Sequence, residues 1–139
     1  MRVDTQVIER PHLRFAWLWW LLGWGFVVIT VNDSLEAHPP GVFLELASDK
    51  VVHFVGYFAL ALWFAGVTRA RRYPIVGALL IALGGVLEIL QGAMSNGRQA
   101  EWNDLFADAL GVIAGLGLAY AGLGRWAIWI ERLLGVQKK

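Results

Sequence analysis

Asp49-Lys50-Val51-Val52-His53-Phe54-Val55-Gly56-Tyr57 sets two charges and an imidazole at the entrance of an apolar run that lasts to Thr68. A run of that length is what a hydrocarbon core asks for, since crossing it takes about 17 to 25 apolar residues in a helix. Three more runs of the kind flank it: Phe15 to Val31, Ile75 to Gly92 and Leu105 to Leu123. With 139 residues of which 58% are hydrophobic, the chain carries more apolar surface than a small soluble domain can bury. Backbone groups in lipid must pair within their own segment, and no ten-residue alternating pattern is present, so the spans read as helices and not barrel strands. The expected fold is all-α, one domain over residues 1–139: an integral membrane four-helix bundle with a C-terminal interfacial amphipathic helix over about 125–136. That last helix is read from Trp126, Trp129, Ile130, Leu133 and Leu134, which recur at helical spacing opposite Arg125 and Arg132.

Topology follows from the basic residues, which favour the cytoplasmic side of short loops. Arg2, Arg10 and Arg14 precede the first span, Arg69, Arg71 and Arg72 follow the second, and Arg125, Arg132, Lys138 and Lys139 follow the fourth. Lys50 and Arg98 alone fall on the other side. Both termini are therefore expected in the cytoplasm, with 32–48 and 93–103 facing outward. The first apolar run is longer than a signal-peptide core, holds Trp17, Trp19, Trp20 and Trp24, and precedes no Ala-x-Ala site, so an uncleaved helix is expected. Cysteine is absent, which excludes disulfides, thiolate metal sites and cysteine nucleophiles.

Against this apolar background the ionisable residues stand out. Helix spacing aligns Asp49, His53, Gly56 and Tyr57 on the second span, Gly77, Gly84, Glu88 and Gln91 on the third, and Asp104, Asp108, Gly111 and Gly115 on the fourth. Small residues mark where transmembrane helices approach one another, and Gly111 with Gly115 forms a GxxxG pair. The polar groups on the same faces should then point into the bundle, about one turn below the outer surface. A charge at the bilayer centre costs roughly 3 kcal/mol on insertion scales, so such a cluster is a functional hypothesis.

His53, Glu88 and Asp108 are the candidate acid-base cluster: neighbouring carboxylates cannot all ionise, which separates proton donors from acceptors. Asp49, Lys50, Tyr57, Gln91, Arg98 and Asp104 are the candidate substrate-binding residues around it. Simpler roles stand beside these: N-caps for Asp49 and Asp104, a satisfied core hydroxyl for Tyr57, or a structural network among His53, Glu88 and Asp108. Asp49, His53, Glu88, Asp104 and Asp108 include donors that a hard or borderline cation accepts, but no His-x-x-x-His or His-Glu-x-x-His spacing occurs, and no metal is expected. The sequence names no cofactor. The basic residues lack aromatic interleaving, so no nucleic-acid partner is expected.

Asp49-Lys50-x-x-His53-Phe54-x-x-Tyr57, then Glu88-x-x-Gln91, then Arg98 and Asp104-x-x-x-Asp108-x-x-Gly111-x-x-x-Gly115 together resemble the VanZ-like family of small multi-pass bacterial membrane proteins. The resemblance covers roughly residues 49–115. Asp108 stands where that family often carries Asn, so here the position is a carboxylate. The resemblance implies a place in the bacterial cytoplasmic membrane, membrane lipids or a lipid-linked envelope precursor or glycan as partner, and an effect on susceptibility to the glycopeptide teicoplanin. Two roles follow from it: an enzyme acting on an envelope lipid or glycan, or a noncatalytic module that binds a lipid or a partner protein.

The topology has a direct test, because a cysteine-free chain accepts single-cysteine labelling without background. Cysteine placed at Gly97 should react with a membrane-impermeant reagent added from outside. Labelling from the cytoplasmic side only would invert the assignment.

Overall fold

The computed structural model describes residues 12–36, 49–94 and 100–136. Among these, five α-helices follow in order: α1 Ala16–Leu35, α2 Asp49–Val67, α3 Tyr73–Ala93, α4 Trp102–Tyr120 and α5 Trp126–Leu133, with no strand. Short 3-10 turns, Ala70–Arg72 and Leu123–Arg125, precede α3 and α5. Pro74 sits in the first turn of α3, where a missing backbone N–H costs nothing.

Three segments, α1, α2 and α3 with its preceding turn, are long and apolar enough to cross a membrane. The fourth run behaves differently. Its helix starts at Trp102, so Asn103, Asp104 and Asp108 fall inside it and lower its hydropathy, and it ends at Tyr120. Only together with α5 does it reach the apolar length of a span, and the two are bent by 74°. The break lies at Gly122, whose φ of 126° is left-handed territory that suits glycine, a common way to end a helix.

α2 lies at the centre. Tyr57, Leu60, Ala61 and Phe64 pack with Leu80 of α3 and Val112 of α4. The closest approach is to α4, and glycine makes it: a methyl group on Gly115 would stand 2.6 Å from the Phe58 carbonyl oxygen, and one on Gly111 would collide with the Phe54 carbonyl. Gly56, by contrast, faces open space, and the close-packed glycine of α2 is Gly66, against the Trp126 ring.

α1 is peripheral, with Gly23 its one buried residue. Polar contacts at both ends hold it. Gln91 Nε2 donates to the Ser34 carbonyl at 2.7 Å near one end, and Trp63 Nε1 donates to the Trp19 carbonyl at 3.1 Å near the other. Between them an apolar cleft of about 310 Å³ opens, walled by Trp20, Trp24, Phe64, Val76 and Leu80. Further contacts come from α5. Glu131, fully buried, accepts from Arg14 N at 2.8 Å, Phe15 N at 2.9 Å and Trp19 Nε1 at 2.9 Å. Its carboxylate thereby caps the start of α1, where backbone N–H groups have no partner within the helix and negative charge is favoured.

The tail forms a helix within the expected range, and one face of it packs into the core. Ala127, Ile128 and Glu131 are buried, and Trp126 turns inward to donate to the Leu62 carbonyl at 3.0 Å, its ring centroid 4.7 Å from that of Trp63 and 5.2 Å from that of Trp19. Trp129, Ile130, Leu133 and Leu134 stay on the exposed face. The reason is the acid: a buried carboxylate needs donors, and the start of α1 supplies them.

Glu131→Ala should lower the thermal midpoint in detergent, because three part-buried donors lose their acceptor, at up to about 1–3 kcal/mol for a group left unsatisfied. Glu131→Gln, which keeps an acceptor oxygen, should lose less. Equal midpoints for parent and Glu131→Ala would contradict the capping role.

Candidate functional site

The polar residues gather at the end of α2 opposite Arg69, Arg71 and Arg72. Spacing of four puts Asp49, His53 and Tyr57 on one face of α2, and Asp104 and Asp108 on one face of α4. Because Gly111 lets α4 come down onto the Phe54 backbone, His53 meets Asp108 one turn away: Nδ1 lies 2.9 Å from Oδ1. A carboxylate can only accept, so Nδ1 carries the proton and Nε2 keeps a lone pair when the ring is neutral. That Nε2 lies 3.9 Å from Asp104 Oδ2, beyond hydrogen-bond length. Lys50 Nζ binds the other Asp104 oxygen at 3.2 Å and Glu101 Oε2 at 3.0 Å. His53, Asp104 and Asp108 are buried, while Asp49 and Lys50 lie at the exposed rim.

Glu88, buried to 1% exposure, accepts the Glu101 backbone N–H at 2.7 Å and lies close enough to His53, Asp104 and Asp108 for their charges to interact. It is therefore a neighbour of the His53–Asp108 pair that makes its own hydrogen bond to backbone. Gln91 turns away to α1. Tyr57 Oη is buried and has no hydrogen-bond partner among the described residues. It shares Gly84 with Asp108: a methyl group there would lie 3.3 Å from the Tyr57 hydroxyl and 2.6 Å from Asp108 Oδ2. Glycine at 84 is thus what lets these two oxygens face α3.

The structure brings Asp49, Lys50, His53, Asp104 and Asp108 together directly, sets Tyr57 and Glu88 against them, and gives Gln91 to the α1–α3 contact. Arg98 lies outside the described residues. The N-cap reading of Asp104 does not hold: the cap of α4 is Glu101, without a side-chain cap bond, and Asp104 lies inside the helix, buried. Glu101 is the residue that sequence spacing missed. It binds Lys50 through its side chain and Glu88 through its backbone, from a position before α4 that no helical periodicity marks.

Chemically, the arrangement offers an oriented imidazole backed by a carboxylate, an ammonium at the rim and a buried hydroxyl. One ligand atom each from Asp49, His53 and Asp104 lies within 4.8 Å of the others, a set able to hold a metal ion. These residues come from two helices, so no linear spacing announces the set.

The fold and site define an all-helical protein with membrane-length helices and a buried His–Asp pair at one end of the packed core. Comparison with known protein families, curated proteins and solved structures found no match for this chain.

Proposed function

We propose that this is a VanZ-like protein of the bacterial cytoplasmic membrane whose polar end faces outward and binds or processes an envelope lipid or lipid-linked glycan. In this reading α4 with the bent α5 serves as the fourth span, both termini are cytoplasmic, and the basic residues near α5 and before α3 lie on the inner side. The observation that carries the reading is the hydrogen bond from His53 Nδ1 to Asp108, buried where three helices meet. A buried charged pair does little for stability compared with apolar packing, so its presence is better explained by use. His53 and Asp108 supply the acid-base pair, Glu88 is the neighbouring carboxylate, and Lys50 at the rim meets an anionic head group. Glycopeptide susceptibility is the phenotype that such a change at the outer surface would alter.

A noncatalytic lipid- or partner-binding module is the second reading. The hydrogen bonds from Glu101 to Glu88 and from Gln91 to Ser34 favour it, since both polar side chains are engaged in holding segments together.

Substitution separates the two. His53→Gln and Glu88→Gln keep approximate shape and should insert and melt near the parent, but His53→Gln should lose turnover of the envelope lipid by about 100-fold or more, the usual scale of a lost acid-base group. Teicoplanin susceptibility and envelope lipid composition in a complemented deletion strain provide the readout. Full activity of both variants would sink the acid-base reading, and loss of expression together with activity would favour the structural one.

A further inference from the structure

We infer that Asp49, His53 and Asp104 form a binding site for a single divalent cation of borderline hardness, with Asp108 as the residue that orients the imidazole. This rests on the reading of His53 and Asp108 as the working centre, and it names the cofactor that centre would use. Beyond the grouping of three donors, the orientation of the ring points to a ligand. Nδ1 is committed to Asp108, so Nε2 is the nitrogen left to bind, and it has no hydrogen bond among the described residues although the side chain is only 8% exposed. Facing it at 3.9 Å is Asp104 Oδ2, an acceptor. Two electron-pair donors so placed repel unless a positive species, a proton on Nε2 or a bound cation, lies between them. Ligands about 2.1 Å from one ion stand at most about 4.2 Å apart, so this separation fits two ligands of one cation at a wide angle.

Asp49, exposed at the start of α2, supplies the third donor, its ligand atom within 4.8 Å of those of His53 and Asp104. Carboxylate oxygens with one imidazole suit Zn²⁺ or Mn²⁺. Three protein ligands leave coordination positions open towards the rim, where an anionic head group or water would bind. A metal-ligating His that donates its other N–H to a carboxylate is the usual outer-shell arrangement, and Asp108 makes that bond here. Lys50 is the competitor: its ammonium sits 3.2 Å from the second Asp104 oxygen and opposes a cation there.

The test is calorimetric titration of the purified full chain in lipid nanodiscs, first cleared of metal by a chelator, with Zn²⁺ and Mn²⁺ separately. One equivalent of one of these cations should bind, more weakly at acid pH because proton and cation compete for Nε2. His53→Gln and Asp104→Asn should weaken binding on the order of 100-fold, and Asp108→Asn by about 10- to 100-fold. Lys50→Gln should instead tighten it, on the order of tenfold, by removing the opposing charge. A misfolded variant cannot mimic that gain. No stoichiometric binding by the parent, parent-like binding by His53→Gln, or weaker binding by Lys50→Gln would each overturn the site. The titration contains no head-group substrate, so it is independent of the proposed function. One bound cation in a protein that leaves envelope lipids unchanged ends the processing proposal and keeps the site. Lipid processing in metal-free protein, with no stoichiometric cation binding in the titration, ends the site and keeps the processing.

Discussion

Everything at the polar end depends on how closely α4 can approach α2. In lipid there is little hydrophobic drive to press helices together, so their separation is set by side-chain size and hydrogen bonds. Gly111 and Gly115 remove the side chains that would hold α4 off, and the backbone of Phe54 and Phe58 fills the room. That contact puts His53 within 2.9 Å of Asp108. A larger residue at 111 would separate the helices at the level of the pair and leave a buried carboxylate without its partner, a costlier state than either a paired or an apolar core.

The same rule governs the opposite end of the molecule in a different form. Glu131 is a second buried acid, but its partners are backbone and indole N–H groups at the start of α1, and the surrounding ring contacts among Trp19, Trp63 and Trp126 are apolar. It fastens a helix that otherwise packs loosely. At that end the acid accepts three hydrogen bonds from N–H donors. At the polar end the Tyr57 hydroxyl has no hydrogen-bond partner among the described residues, and His53 Nε2 stands 3.9 Å from Asp104 Oδ2, beyond hydrogen-bond length. This difference in satisfaction, more than burial itself, separates a structural acid from a candidate site.

Much of this was legible in the residue pattern, because hydrophobic run length and helical spacing are local properties. The three segments α1, α2 and α3 correspond to apolar runs visible in the sequence, and the pairing of His53 with Asp108 follows from spacing by four together with the GxxxG pair. Contacts made by non-periodic segments were not legible. Glu101 precedes α4 and reaches both Lys50 and Glu88, while Gln91 finds a carbonyl on α1, which no pattern in α3 predicts. The packing of the tail was not legible for a related reason. Its tryptophans at helical spacing read as a membrane-surface stripe, yet Trp126 faces inward and Glu131 is drawn to the unpaired N–H groups of α1. An acidic residue amid Ile128, Trp129 and Ile130 was the signal, by the same logic that singled out Glu88. The bend at Gly122 shortened the fourth run for a backbone reason that hydropathy does not register.

The central claim is that Asp108 fixes the tautomer of His53 and leaves Nε2 as the working atom. Imidazole ¹⁵N spectroscopy of histidine-labelled protein reads this directly. Of the chain's three histidines, the His53 signals are identified by their loss in His53→Gln. Across a pH titration, Nδ1 should keep its proton and its coupling to hydrogen throughout while Nε2 alone changes state. A His53 ring protonated at Nε2 when neutral, or one whose two nitrogens exchange roles as in free imidazole, would contradict the account.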